Sequence, residues 1–296
     1  MAERDKALSH GLFRVPGYIA SLRSGKVNGH SKPNVEPITP AFIKVDADNG
    51  YAPLALTKGI PYLAQAAHNL GIATMTLNNA YHFAALWSET EALAESELIG
   101  IACVCHTPVM TPFGGQKALF GTNPVAFAWP RPGQFPVSLD MATSAMAQGE
   151  IQIAARDGKS LPAETGLDKE GQPSNDPTKV LEGLLLPFGG HKGSALALMI
   201  ELLSAGATGD AFSFEAQAND NDDGGPAKGG EFLIAISPKI LAGEKWASHC
   251  DEFFKQYNKI DGARIPGSKR HEARSDKSKR KVNKLLVREI EKLTNQ

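Results

Sequence analysis

The sequence predicts an α/β protein with a large sheet in which some neighbouring strands run antiparallel. Between residues 42 and 107, short apolar segments alternate with amphipathic segments of helical period. Between residues 112 and 165, strand-like segments are interrupted by Gly and Pro and surround one short helix, a pattern typical of antiparallel strands.

The elements of the first half follow from these patterns in order. Residues 1–35 predict the end of a helix and then turns, because Gly, Asn and Pro are frequent between residues 21 and 34. After this stretch, strands are expected at 42–45, 72–79 and 98–107, and helices at 54–70 (ended by Gly71) and 82–96.

In the second half, residues 179–209 predict a loop and a long helix. Residues 217–230 are polar and glycine-rich, which predicts a mobile surface loop before a strand at 231–237. The basic segment 268–281 suits either a phosphate-binding patch or a solvated face, and a helix is expected over 282–293.

Composition excludes several classes of protein. The 296 residues carry a formal net charge of −1, which argues against a nucleic-acid-binding or membrane-surface protein. The most apolar run, residues 194–207, is too short to span a bilayer and contains Glu201. Three cysteines are too few for a disulfide framework, so a reducing, cytoplasmic setting is expected.

No metal site is expected. Cys103 and Cys105 alternate along one strand and predict buried thiols, since no second cysteine pair completes a zinc site. Asp220, Asp222 and Asp223 lack the downstream glutamate that completes a calcium loop.

A glycine-rich turn before the long helix is the strongest single signal of a binding site. Gly189, Gly190 and Gly193 flank His191 and Lys192, and a helix N-terminus with a lysine favours an anion. The spacing matches neither a Walker phosphate loop nor the Rossmann fingerprint. The alternative is a glycine-rich start that only turns the chain.

Other stretches are less specific. His82 is placed at the start of the helix over 82–96, beside the small residues Ala84 and Ala85, where a ligand or a packed aromatic pair would fit. Further on, small polar groups stand next to strand ends, where they suit a cleft or ordinary turns; these are Thr122, Asn123, Asp140, Thr143 and Ser144.

The opening stretch combines three residues suited to carboxylate chemistry. Arg14 can hold a carboxylate with two parallel hydrogen bonds. His10, beside Ser9, is a suitable general acid or base. The alternative is a histidine on a helix without a catalytic role, and no Gly-x-Ser-x-Gly elbow supports a serine hydrolase.

Five stretches in this order carry a family resemblance: SHGLFRVPGY, HFAALW, LFGTNPVAF, LDMATSAMAQGEIQIAARDG and LLPFGGHKGSALALMIELL. They resemble the non-Rossmann malate/L-lactate dehydrogenase family and, within it, the NADPH-dependent Δ1-piperideine-2-carboxylate/Δ1-pyrroline-2-carboxylate reductases. The resemblance implies a large mixed sheet flanked by helices and a cofactor bound outside any Rossmann fold. It also implies a homodimer with active sites near the subunit interface.

The resemblance implies roles for individual residues. His10 is the expected proton donor, Ser9 its relay partner and Arg14 the ligand of the substrate carboxylate. Glu150 stands where the imine-reductase branch tends to carry a relay aspartate. The expected cofactor contacts are His82, Phe83, Ala84, Ala85, Leu86, Thr122, Asp140, Met141, Ala142, His191, Lys192, Arg264, Gly267 and Arg270.

We therefore expect a reductase that uses NADPH, rather than NADH, to convert a cyclic imino acid to L-pipecolate or L-proline. Residues 1–79 with 255–296 are expected to form a substrate and dimerisation unit, and residues 80–254 an NADPH-binding unit. The first alternative is a 2-hydroxy-acid dehydrogenase. The second alternative is a truncated, inactive cofactor-binding protein. It is considered because the family usually has helices before the Ser-His pair, whereas this sequence starts eight residues before Ser9.

Overall fold

A computed structural model describes residues 1–82 and 85–294. Two short 3-10 turns, Leu8–His10 and Leu12–Arg14, precede the first α-helix. The α-helices of the described residues are α1 Val15–Arg23, α2 Ala52–Leu70, α3 Trp87–Glu95, α4 Gln148–Arg156, α5 Pro177–Glu182, α6 His191–Glu201, α7 Ser213–Ala218, α8 Pro238–Ala242, α9 Trp246–Tyr257, α10 Ser268–Ser275 and α11 Lys284–Thr294. The strands are β1 Asn34–Thr39, β2 Phe42–Asp46, β3 Ile72–Tyr81, β4 Ile99–Val104, β5 Val125–Trp129, β6 Val137–Met141, β7 Gly166–Leu167, β8 Pro173–Ser174, β9 Leu184–Leu185 and β10 Lys228–Ile236.

Seven strands form one sheet in the order β1-β2-β3-β10-β4-β5-β6, and β8-β7-β9 form a small second sheet. In the large sheet only β2 and β3 pair in parallel; the other neighbours are antiparallel. The expected α/β fold with a large mixed sheet is confirmed. Strands from both expected units share this sheet, and the division into two units stays a prediction.

The main core lies between α2 and the centre of the sheet. Val45, Met75, Leu77 and Leu233 are fully buried there. Gly59 of α2 permits this close packing, because a Cβ at that position would lie 2.7 Å from Met75 Sδ and from Val45 Cγ2. The core fixes β3 and β10 side by side, and the polar segments after β3 and before β10 therefore lie at the same end of the sheet.

The expected helix over 82–96 is wrong at its start. β3 continues to Tyr81 because Tyr81 pairs with Lys228 of β10, so His82 directly follows a strand. The helix begins only at Trp87, whose backbone N–H donates to Asp140 Oδ2 at 3.0 Å. A carboxylate distant in sequence thus caps α3, and no local pattern announces it.

Two other segments differ from expectation. Strand β1 lies in a stretch for which no strand was expected and forms a hairpin with β2. The 217–230 segment is shorter than expected, because α7 extends to Ala218 and β10 starts at Lys228. Within it, Asp220 and Asp223 bind Lys26 Nζ at 2.9 and 2.7 Å, so these carboxylates hold a lysine of the segment after α1.

None of the helices among the described residues is both long and apolar enough to cross a membrane.

Candidate active site

A cleft of about 580 Å³ lies where the start of the chain meets α3, the end of β6, α4 and α10. Its volume suits a small-molecule or cofactor site. The lining residues are Asp5, Lys6, Ala7, Leu8, Ser9, His10, Trp87, Thr122, Pro124, Asp140, Met141, Ala142, Ala147, Glu150, Ile153, Lys269 and Arg270.

Ser9 and His10 form a hydrogen-bonded pair in the wall of this cleft. Ser9 Oγ lies 3.0 Å from His10 Nδ1, and Ser9 is buried. Gly149 of α4 packs against the pair, because a Cβ at Gly149 would lie 3.0 Å from Ser9 Cβ and collide with Arg14 Nη2. The small residue therefore lets α4 approach the pair closely and holds the Ser9 side chain in place.

Glu150, the next residue of α4, lines the same cleft as His10. The fold thus unites the three residues expected to be catalytic, although 140 positions separate His10 from Glu150.

Arg14 is next to the pair but lines a neighbouring cavity of about 520 Å³ rather than the cleft itself. Its Nε donates to the Ser9 carbonyl at 2.8 Å, and its Nη1 donates to Gln152 Oε1 at 3.1 Å. Burial lowers the pKa of Arg14 to about 10, which leaves the guanidinium charged at neutral pH. Arg156 lines the same cavity, so two cations face it.

Asp140 is another titratable group in the cleft lining. Burial raises the pKa of Asp140 to about 6, and hydrogen bonds from backbone N–H groups, led by that of Trp87, oppose the rise. The backbone of Thr122 is fixed by a hydrogen bond, since the Thr143 N–H donates to the Thr122 carbonyl at 2.8 Å. Met141 and Ala142 continue the lining after Asp140.

The opposite wall is cationic. Arg270 of α10 lies 5.0 Å from the centre of the Trp87 ring, and its Nη2 donates to the Ser138 carbonyl and hydroxyl at 3.0 and 2.8 Å. Its Nε is buried with no hydrogen-bond partner among the described residues. Lys269 adds a second positive charge to the lining. An anionic ligand such as a phosphate-bearing cofactor fits this wall.

Several expected cofactor contacts lie outside the cleft lining in the described part of the chain. Leu86 is fully buried, and Arg264 is exposed on the loop after α9. Gly267 has φ +91° and packs against the Ser138 carbonyl, which allows the turn before α10. Ala85 is half-buried, and Phe83 and Ala84 lie outside the described residues.

His191 and Lys192 stand at the N-terminus of α6 as expected. Gly189 and Gly190 precede them with φ of +56° and +62°, so the turn uses conformations that favour glycine. Both charged side chains are exposed, and the structure does not bring them into the cleft lining formed by the described residues.

His82 is buried beside a carboxylate that sequence reasoning missed. Its Nδ1 lies 3.8 Å from Glu231 Oε2, and Glu231 of β10 is fully buried. Burial lowers the pKa of His82 to about 4, while burial and the charges of Glu89 and Asp140 raise the pKa of Glu231 well above its usual value. His82 is therefore uncharged at neutral pH, and burial favours the protonated form of Glu231. The sequence signal for this buried carboxylate was a glutamate at the start of the otherwise apolar stretch EFLIAIS.

Among residues 1–82 and 85–294, no group of three or more His, Cys, Asp or Glu side chains is arranged to hold a metal ion.

Comparison with known proteins adds to this geometry. The family model for malate/L-lactate dehydrogenase matches residues 1–291. The Δ1-pyrroline-2-carboxylate/Δ1-piperideine-2-carboxylate reductase of Pseudomonas syringae pv. tomato is 44% identical, over 91% of this chain and 79% of the relative. The (2R)-3-sulfolactate dehydrogenase (NADP⁺) of Chromohalobacter salexigens is 36% identical, over 93% of this chain and 82% of the relative.

A solved structure agrees with the sequence matches. The crystal structure of Δ1-piperideine-2-carboxylate reductase from Pseudomonas syringae pv. tomato has a TM-score of 0.92 to this chain at 42% identity. The match covers 99% of this chain and 89% of that one. With a family model matched over nearly the whole length and a shared fold, the chain belongs to the malate/L-lactate dehydrogenase family.

Proposed function

We propose that this protein is an NADPH-dependent reductase of a cyclic imino acid, Δ1-pyrroline-2-carboxylate or Δ1-piperideine-2-carboxylate. The observation that carries the proposal is the position of Ser9 and His10 in one cleft with Lys269 and Arg270. The 44% identity to a reductase of these two imino acids supports the substrate class.

The residues of the cleft divide the chemistry between them. A bound nicotinamide supplies the hydride, which adds to the carbon of the C=N bond beside the carboxylate. His10 supplies the proton that the imine nitrogen requires, and the product is the saturated cyclic amino acid. Because Ser9 engages Nδ1, we assign this proton transfer to His10 Nε2. Glu150, which lines the same cleft, is the proposed relay group that returns a proton to His10.

Arg14 is the proposed partner of the substrate carboxylate. Its guanidinium is charged at neutral pH and is fixed by Ser9 and Gln152, so its direction is set before a ligand arrives. A planar substrate that reaches from the His10 side towards Arg14 is held flat against the cleft wall, and this positioning supplies part of the rate gain.

Lys269 and Arg270 are the proposed contacts to the cofactor phosphates, and they favour NADPH, with its additional phosphate, over NADH. The other expected cofactor contacts, His191, Lys192 and Arg264 among them, belong to the same proposal. The sulfolactate dehydrogenase relative carries NADP⁺ in its name, which supports this preference.

We further propose a cytoplasmic homodimer. Apolar side chains of α6 and its continuation support this state, because Leu198, Met199 and Leu202 are exposed and Phe214 of α7 is exposed as well. Exposed apolar faces of this kind are typical of protein–protein contacts, and a second copy of the chain is the simplest partner.

The test is oxidation of NADPH by the purified protein with Δ1-piperideine-2-carboxylate, pyruvate or oxaloacetate, for wild type and His10→Ala. We expect turnover of the imine and a loss of about 100- to 10,000-fold in kcat for His10→Ala. His30→Ala is the matched control, since His30 is exposed on a turn, and it should keep wild-type activity.

Turnover of the keto acids in place of the imine would instead establish the second candidate, a 2-hydroxy-acid dehydrogenase. The 36% identity to a sulfolactate dehydrogenase is the observation that favours this alternative.

A further inference from the structure

A buried ion network joins two walls of the cleft: Asp5 belongs to the lining, and Arg274 and Glu91 lie behind it. Arg274 of α10 donates through Nη2 to Asp5 Oδ2 at 2.7 Å and to Glu91 Oε2 at 2.8 Å. The side chains of Asp5 and Glu91 are 0% and 5% exposed. One arginine thus links the segment before Ser9 (residues 1–7) to α3 and α10.

Glu91 is the centre of this network. Its Oε1 lies 3.2 Å from His271 Nε2 and 3.7 Å from Arg270 Nη2. Burial raises the pKa of Glu91, but hydrogen bonds from His271 and Ser138 and the charge of Arg274 outweigh this effect and lower the pKa to about 2. The carboxylate is therefore ionised at neutral pH and holds two arginines of the same helix.

The network connects the groups that we assign to cofactor and substrate. Arg270 lines the cleft, and Arg274 lies one helical turn further along α10. Asp5 lies only four residues before Ser9. A second contact holds the same segment, because Arg280 Nη1 donates a hydrogen bond to the Glu3 carbonyl at 3.3 Å. A shift of α10 is therefore transmitted to the Ser9–His10 pair through a short stretch of chain.

We propose that Asp5 and Glu91 are positioning residues that couple cofactor binding at α10 to substrate binding beside His10. This inference rests on the proposed function. A phosphate-bearing cofactor that engages Lys269 and Arg270 holds α10 in place, and Arg274 then fixes Asp5 and the segment that carries His10. By linkage, the substrate must strengthen cofactor binding by the same factor.

The test measures this factor directly by calorimetry. Pyrrole-2-carboxylate is a suitable probe, because it is a flat ring with a carboxylate beside the ring nitrogen and accepts no hydride from a nicotinamide. In the wild type, we expect NADP⁺ to tighten binding of this probe by about tenfold. The coupling ratio is the Kd of the probe without NADP⁺ divided by its Kd with NADP⁺. In Asp5→Asn this ratio should fall to within about twofold of one, while the affinity for NADP⁺ alone stays within about twofold of wild type.

Glu91→Gln should abolish the coupling and also weaken NADP⁺ binding, because Arg270 loses its carboxylate partner. Glu91→Asp, which keeps the charge, should restore part of the coupling. Arg274→Lys should behave like Asp5→Asn, since a lysine cannot reproduce the contact of Arg274 Nε and Nη2 with the two Asp5 oxygens while Nη2 also reaches Glu91. This variant tests the inference if the other variants fail to fold. Glu244→Gln, in the exposed Lys239–Glu244 pair, is the control and should keep the wild-type ratio.

A wild type that binds NADP⁺ and the probe without coupling, or an Asp5→Asn protein with an unchanged ratio, overturns the inference and leaves the proposed function standing. A wild type that binds neither compound overturns both. Lower stability alone does not imitate the expected result, because the ratio is measured on folded protein under two conditions.

Discussion

At the scale of single residues, adjacency in the chain decides the contact between Ser9 and His10, and burial decides the charge state of His82. Ser9 and His10 are neighbours in sequence, so their hydrogen bond of 3.0 Å required only a local turn. The neutral state of His82 beside Glu231 depends on the removal of both from water. Sequence reasoning therefore identified His82 but not the carboxylate beside it.

Glu231→Gln tests this buried carboxyl group. The pKa of Glu231 in the folded protein lies above its ordinary value of 4.5, so its contribution to stability is complete below that value and is lost as pH rises towards the folded pKa. A glutamine does not titrate. The variant should therefore gain stability relative to wild type as pH rises from about pH 5 towards pH 8.

The measurement is the free energy of unfolding in urea at several pH values, as a difference between variant and wild type. Glu244→Gln serves as the control, because it makes the same substitution at an exposed position. A Glu231→Gln difference that is constant over this range would show that Glu231 is ionised in the folded protein.

At the scale of elements, the bounds that follow from local signals were predictable and the bounds set by distant contacts were not. The end of α2 agrees with the expectation from Gly71, which adopts φ +89°. The start of α3 was wrong, because pairing with β10 prolongs β3 and Asp140 caps the helix at Trp87. The N-terminus of α6 was correct, since its glycines act within one turn.

Gly193→Ala tests how closely α6 approaches its neighbours. A Cβ at Gly193 would collide with the Phe188 carbonyl oxygen and lie 2.9 Å from the Thr143 carbonyl oxygen. Both obstacles are backbone atoms, so we expect a loss of about 2 kcal/mol in the free energy of unfolding.

Gly206→Ala is the matched control in the π-helical turn Leu202–Gly206 that continues α6. There the nearest atom would be 3.5 Å from the added Cβ, so the change should be neutral or stabilise by about 0.5 kcal/mol. Equal effects of the two substitutions in thermal or urea unfolding would contradict the close approach at Gly193.

At the scale of the whole molecule, the alternation of strand and helix predicted the fold class, and the large mixed sheet confirms it. The alternation of Cys103 and Cys105 along one strand predicted buried thiols, and both cysteines are buried. Their reactivity reports on the integrity of the folded chain as a whole.

Alkylation with iodoacetamide tests this burial. Burial raises the pKa of Cys103 and of Cys105 to about 12, whereas Cys250 is half-buried on α9. Mass spectrometry of the native protein should find the label on Cys250 alone, with the other two labelled only in guanidinium chloride. Labelling of all three at equal rates in buffer would contradict the packing of β4.

The sequence by itself determined the fold class, most elements and the Ser9–His10 pair, because hydrophobic period, glycine and adjacency act over a few residues. Only the tertiary structure decided which distant side chains share the cleft: His10 from the start of the chain, Glu150 from α4 and Arg270 from α10. It also placed Arg14 in a neighbouring cavity and the Glu91 network behind the lining. The physical reason is that these contacts depend on the order of strands in the sheet, with β10 inserted between β3 and β4, and no local pattern encodes that order.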